Sequence, residues 1–173
     1  MKKLAALAAL LALSSSPALA EVDEIRLGLS LHDISFLGHG KEDGVDGVGE
    51  VLFQSPGLLE AIWAPRPHVG IAVNSAGDTS QLYAGLTWGY EPVERLFVEF
   101  SLGGAVHDGK LSGDALDRKQ LGSRALFRES LALGWRFDEH NSLMVVFDHE
   151  SNARLAEHNE GLNNLGIRWG YRF

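Results

Sequence analysis

In the last nine residues of the chain, Leu165, Ile167, Trp169, Tyr171 and Phe173 alternate with Gly166, Arg168, Gly170 and Arg172. A period of two sends successive side chains to opposite faces of a strand, so one face here is wholly apolar and the other is glycine and arginine. The same signature recurs upstream. Ile25, Leu27, Leu29 and Leu31 share a face, opposite Arg26, Gly28, Ser30 and His32. Val51 and Phe53 mark a shorter segment, and Val69, Ile71 and Val73 another. Leu82, Ala84, Leu86, Trp88 and Tyr90 form a fourth face, and Leu96, Val98, Phe100 and Leu102 a fifth. Ala125, Phe127, Leu131, Leu133, Trp135 and Phe137 form a sixth, and Leu143, Val145 and Phe147 a seventh. With the last segment that makes eight strands, an even number. The opposite faces carry mostly Gly, Ser, Arg and Glu, and few are dry enough to receive a second layer. A soluble sandwich buries one face and wets the other, so alternation alone leaves that architecture open.

The aromatic residues favour a membrane. If the strands run up and down from a periplasmic N-terminus, Trp88, Tyr90, Trp135, Phe137, Trp169, Tyr171 and Phe173 all fall at the lower ends of descending strands, on the apolar face. That is the interfacial girdle of a transmembrane barrel, and closure leaves no unpaired sheet edge in lipid. The expected fold is all-β, an eight-stranded antiparallel up-and-down transmembrane β-barrel. The N-terminus fits this destination. Lys2 and Lys3, the apolar run from Leu4 to Leu13 and Ala18-Leu19-Ala20 read as a secretory signal peptide over residues 1–20. The run is too short to span a bilayer as a helix. The mature barrel domain then covers residues 21–173, one domain's worth of chain. Without Lys2 and Lys3, 13 basic residues face 23 acidic ones, a formal net charge of −10 that argues against nucleic acid as a partner. The chain has no cysteine, so an exported domain of this kind must be held by its sheet or core.

The connections agree in part with short periplasmic turns and longer external loops. Residues 91–94 and 138–141 are short, and the segments after Leu31, Gly104 and Ser151 are long. Residues 55–67 are long for a periplasmic turn, and residues 76–80 are short for an external loop. An alternating strand ending in a terminal Phe173 resembles the C-terminal strand of bacterial outer-membrane barrels. The resemblance implies the outer membrane as location and its assembly machinery as a partner.

Strand seven ascends, so its end is external. His149 and Ser151 share the parity of Leu143, Val145 and Phe147 and point toward lipid, at the level of the outer leaflet. Polar groups there are disfavoured without a reason. The lipid of that leaflet is lipopolysaccharide, whose lipid A carries ester-linked acyl chains. A serine beside a histidine is an ester-hydrolysing pair, the imidazole taking the hydroxyl proton as the oxygen attacks the carbonyl. Asn152 follows directly and can offer its amide or backbone N–H to an oxyanion. Glu129 on strand six has apolar parity and lies opposite either His149 or Ser151, depending on register. A snorkelling interface residue or a bulge is the alternative reading of Glu129.

These residues resemble the PagL-type lipid A 3-O-deacylase family, eight-stranded outer-membrane barrels that release a 3-hydroxyacyl chain from lipid A. The resemblance rests on "HESNARL" followed by "NEGLN", covers the last two strands, and extends loosely over "FRESLALGWRF". It implies His149 and Ser151 as the dyad and Asn152 at the oxyanion site. It also implies a third member where the family has Glu in N-x-G-x-E. Asn159 and Gly161 fit that pattern, but Asn163 stands at the Glu position. An amide can hold a histidine tautomer but does not offset imidazolium charge, which makes Glu129 the preferred substitute for the missing acid. The implied function is a serine esterase acting at the 3-O position of lipid A, without cofactor. A non-enzymatic barrel and a decayed relative are the alternatives. His32-Asp33, His107-Asp108 and Asp148-His149 are weak as metal ligands, which need to converge on one face; Asp148 and His149 face opposite ways. Arg118, Lys119 and Arg154 lie near the external end, either for lipid A phosphates or as ordinary loop charges.

Overall fold

The computed structural model describes residues 21–35, 40–113 and 116–173; the expected signal peptide over residues 1–20 lies outside the described residues. Eight antiparallel strands follow one another around a closed barrel. They are β1 (Val22–Leu31), β2 (Val45–Phe53), β3 (Arg66–Asn74), β4 (Gln81–Val93), β5 (Leu96–His107), β6 (Ala125–Arg136), β7 (Asn141–Ser151) and β8 (Leu162–Arg172). The first strand closes on the last, with Ile25 opposite Tyr171 and Leu31 opposite Leu165.

The alternation in sequence becomes inside and outside. Leu27, Leu29, Ile71, Leu82, Phe100, Leu131, Val145 and Ile167 stand exposed on the outer wall. The opposite parity fills the interior with paired charge. Arg26 meets Glu24, Glu50 and Glu99, while Arg128 and Arg168 both bind Asp148. Buried charges persist only when paired in this way. Phe97, Ala132, Met144 and Val146 add an apolar cluster inside the barrel. The Phe97 ring lies flat over Gly134, its neighbour across the β5–β6 ladder, where a Cβ would collide with it. Met144 and Val146 therefore face inward although both are apolar, and the parity of β7 holds to its end.

The start of β1 and the C-terminus lie at one end of the barrel, with the turns at residues 94–95 and 137–140. The first of these is tighter than the expected 91–94, because β4 continues to Val93 through a register shift after Tyr90. Arg95 closes it at φ 71°, its N–H donating to Glu91 Oε1 at 3.0 Å. The long connection between β2 and β3 contains a short 3₁₀ helix, Gly57–Ile62. Its end is tied to the barrel wall, because Trp88 Nε1 donates to the Ile62 carbonyl at 2.8 Å. At the other end the connections from β1 to β2, β5 to β6 and β7 to β8 are long, with residues 32–35, 40–44, 108–113, 116–124 and 152–161 outside the strands. The β3–β4 connection there is short because Asn74 caps it, its Oδ1 accepting from the N–H groups of Ala76 and Asp78.

Candidate active site

The site begins with the turn between β6 and β7. Asp138 Oδ1 accepts the N–H of His140 at 2.8 Å and of Asn141 at 2.7 Å, which sets the turn length and hence the register. Arg136 then pairs with Ser142, Glu129 with His149 and Phe127 with Ser151. On the other side His149 pairs with Asn163. The register left open between His149 and Ser151 is thus settled, and Glu129, His149 and Asn163 form a row across three strands.

His149 Nδ1 lies 2.7 Å from Asn163 Oδ1. An amide oxygen only accepts, so Nδ1 carries a proton, and in the neutral imidazole the lone pair lies on Nε2. Ser151 is two residues further along the same face, half-buried, at a Cα spacing of roughly 6.5–7 Å for a strand. Its hydroxyl has no protein partner among the described residues. Glu129 is half-buried across from His149, and its side chain makes no hydrogen bond or ion pair among the described residues. The orienting contact is therefore made by Asn163 and not by Glu129. The far edge of the imidazole rests on backbone: a Cβ added to Gly161 would stand 2.8 Å from His149 Cε1. A cavity of about 250 Å³ at the opposite mouth, lined by Arg66, Glu99, Arg136 and Arg172, contains none of these residues.

Asn152 is placed beside Ser151, but its donors are engaged. Its N–H goes to Asn159 Oδ1 at 2.8 Å, and Nδ2 donates to the carbonyls of Leu121 at 2.9 Å and His158 at 2.5 Å. The next two residues, Ala153 and Arg154, are left-handed at φ 52° and 62°. Their N–H groups have no partner among the described residues.

Residues 32–34 lean over the row. Asp33, at φ 45°, donates its N–H to Asn164 Oδ1 at 3.0 Å, and Ile34 N–H donates to the Asn163 carbonyl at 2.8 Å. This explains why Asn163 is only 4% exposed despite its outward parity. His32 is held from both sides, Nδ1 at 2.9 Å from Asp46 and Nε2 at 3.0 Å from Glu42. Burial opposes its charge, but the two carboxylates prevail and raise its pKa to about 9. Glu42 is likewise penalised by burial, yet His32 and the N–H groups of Thr79 and Lys119 lower it to about 2. Of the three cations weighed as phosphate ligands, Arg118 is paired with Asp78 and Lys119 is buried against Asp33. Arg154 is exposed and without a partner among the described residues. Asp33 and Lys119 carry no local signal of this contact in the sequence, because they meet only through loop packing.

A closed eight-stranded barrel with an apolar outer wall and a charged interior is the architecture of outer-membrane β-barrels. Among solved structures it is similar to the crystal structure of the outer membrane enzyme PagL, at TM-score 0.66 and 18% identity, covering 87% of this chain and 99% of that one. It is also similar to the N-terminal β-barrel domain of Pseudomonas aeruginosa OprF, at TM-score 0.59 and 12% identity, covering 90% and 100%. The family model for lipid A 3-O-deacylase (PagL) matches residues 59–172, more than half of the chain, and the chain belongs to that family. A curated relative, lipid A deacylase PagL of Bordetella bronchiseptica, is 29% identical over 80 residues. That alignment spans 46% of this chain and 43% of the relative's length.

Proposed function

We propose that the protein is a serine esterase that removes the 3-O-linked 3-hydroxyacyl chain from lipid A in the outer leaflet. Ser151 is the nucleophile and His149 its base. As Oγ attacks the acyl carbonyl, its proton passes to His149 Nε2. Collapse of the tetrahedral intermediate expels the lipid A 3-hydroxyl, which recovers that proton. Water then attacks the acyl-serine with His149 again as base, and a 3-hydroxy fatty acid leaves. Asn163 holds the imidazole in the tautomer this cycle needs. Glu129, across the ladder, supplies negative charge through space. Asn152 shapes the oxyanion site by tying its loop down, which leaves the N–H groups of Ala153 and Arg154 unspent beside Ser151.

The observation that carries this reading is the 2.7 Å contact from His149 to Asn163 on the lipid-facing wall, two residues from Ser151. The test is mass spectrometry of lipid A from cells expressing the wild type, Ser151→Ala or His149→Ala. Only the wild type is expected to release the 3-hydroxyacyl chain. Full release by Ser151→Ala overturns the mechanism. A wild type that releases nothing, beside an active Asn163→Glu, marks a decayed relative, a reading favoured by the uncharged Asn163.

A further inference from the structure

Resting on the esterase reading, we propose that the buried Asp33–Lys119 ion pair is a positioning unit that holds His149 through its two neighbours, Asn163 and Gly161. Both side chains belong to loops, and neither touches the imidazole. Lys119 Nζ lies 3.1 Å from Asp33 Oδ1, with side chains 6% and 0% exposed. The same ammonium donates to the Gly161 carbonyl at 3.1 Å. Gly161 is the backbone on which the His149 ring rests. A Cβ there would stand 2.8 Å from Cε1, too close without a shift, so the position of the Gly161 peptide bears on that of the ring.

The other end of the pair acts on Asn163. The Asp33 carboxylate accepts the N–H groups of Lys41 at 2.6 Å and Glu42 at 3.2 Å through Oδ2. These bonds hold Asp33 in its left-handed turn. In that turn its own N–H reaches Asn164 and the next N–H, from Ile34, reaches the Asn163 carbonyl. One carboxylate therefore fixes the strand segment that orients Nδ1, and through Lys119 it fixes the loop segment against Cε1. Glu160 reinforces the second arm, binding Lys41 Nζ at 2.6 Å and the Gln120 N–H at 2.8 Å. A buried lysine and aspartate this far apart in sequence are costly unless well paired. Lys119 also has its N–H on Glu42 at 3.0 Å, so its segment is anchored independently of the ammonium. Removing the ammonium alone thus tests its contacts to Asp33 and Gly161 and not the loop as a whole.

The experiment uses the full-length barrel in detergent micelles with ¹⁵N-labelled histidine, the His149 signal being assigned by its loss in His149→Gln. In a Ser151→Ala background the wild-type pair is expected to give one tautomer, protonated at Nδ1. Lys119→Met is expected to mix the two tautomers, and Lys119→Arg to restore the single one. In the Ser151 protein, Lys119→Met should lower kcat for lipid A by about 10-fold to 100-fold with KM within about twofold, as for misplaced general-base support. Folding is checked by retained gel mobility without boiling. If Lys119→Met does not fold, Lys119→Gln carries the same test. A wild-type tautomer signal in the folded variant overturns the proposal. The spectroscopic arm needs no turnover, so an inactive wild type with a Lys119-dependent tautomer sinks the esterase reading alone.

Discussion

Asn163→Glu tests what the site gains or loses by having an amide where the resemblance to the family implies an acid. The amide oxygen accepts from His149 Nδ1 at 2.7 Å, so the tautomer is already correct. The usual penalty of a wrong tautomer, about 10⁴ in kcat, therefore does not apply. What the amide lacks is charge. A neutral hydrogen bond contributes about 1 kcal/mol and one to a charged group about 1.5–3 kcal/mol, and the surplus appears only when the imidazolium forms. A carboxylate at a position 4% exposed also loses solvation, which trims the gain. A net stabilisation of about 1.5 kcal/mol corresponds to a kcat about tenfold higher. Because the carboxylate favours the protonated ring, the acid limb of the rate–pH profile should move to higher pH. Asn163→Leu removes the acceptor and should cost about 10²-fold or more. The assay is release of 3-hydroxy fatty acid from lipid A in mixed micelles between pH 4 and 9, a range chosen to span both limbs, at roughly constant ionic strength. An Asn163→Glu profile superimposable on the wild type, with Asn163→Leu fully active, would refute the role given to the Nδ1 contact.

Glu129→Gln should lower kcat by about tenfold at most, because its carboxylate acts across the ladder without a bond to the ring; a loss beyond about 10³ would return it to the orienting role. Stability of the external loops should depend on pH through His32 and Glu42. The raised pKa of His32, about 9, means its contribution is full below about 6.5 and is lost as pH rises through about 9. The lowered pKa of Glu42, about 2, means its contribution is full above about 4.5 and is lost as pH falls through about 2. Limited proteolysis of residues 32–44 should therefore accelerate as pH rises toward 9, and the acceleration should disappear in His32→Gln. Single cysteines carrying an environment-sensitive probe should report lipid at Val145 and Phe147 and the barrel interior at Met144 and Val146; the reverse pattern would move His149 and Ser151 off the lipid face.

The strands were legible because a barrel in lipid has only two environments. Leu143, Val145 and Phe147 could be separated from Met144 and Val146 by parity alone, although all five are apolar. The placement of His149 and Ser151 followed from the same parity. Register was not legible, since whether Glu129 meets His149 or Ser151 depends on the Asp138 turn, whose hydrogen bonds are set by geometry and not by pattern. The loops were least legible. Asp33 and Lys119, His32 and Glu42, and Asn152 and Leu121 pair through closures with no periodicity to announce them. That is why Asn152 read as a free donor and is instead a loop tie. It is also why Lys119, open as a lipid A phosphate ligand or an ordinary loop charge, is instead buried against Asp33.

On the proposed esterase mechanism, the reactant of His149 and Ser151, which face outward from the barrel, does not arrive from solution. It comes by lateral diffusion within one leaflet, and the relevant concentration is a surface density. Turnover should then follow surface-dilution behaviour: at fixed total substrate, added inert detergent or phospholipid lowers the rate by thinning the reactant in the plane. Water must reach the same spot from the polar side. The two reactants of a hydrolysis therefore meet at the lipid–water boundary from perpendicular directions, and the height of Ser151 on the wall sets where that boundary must lie.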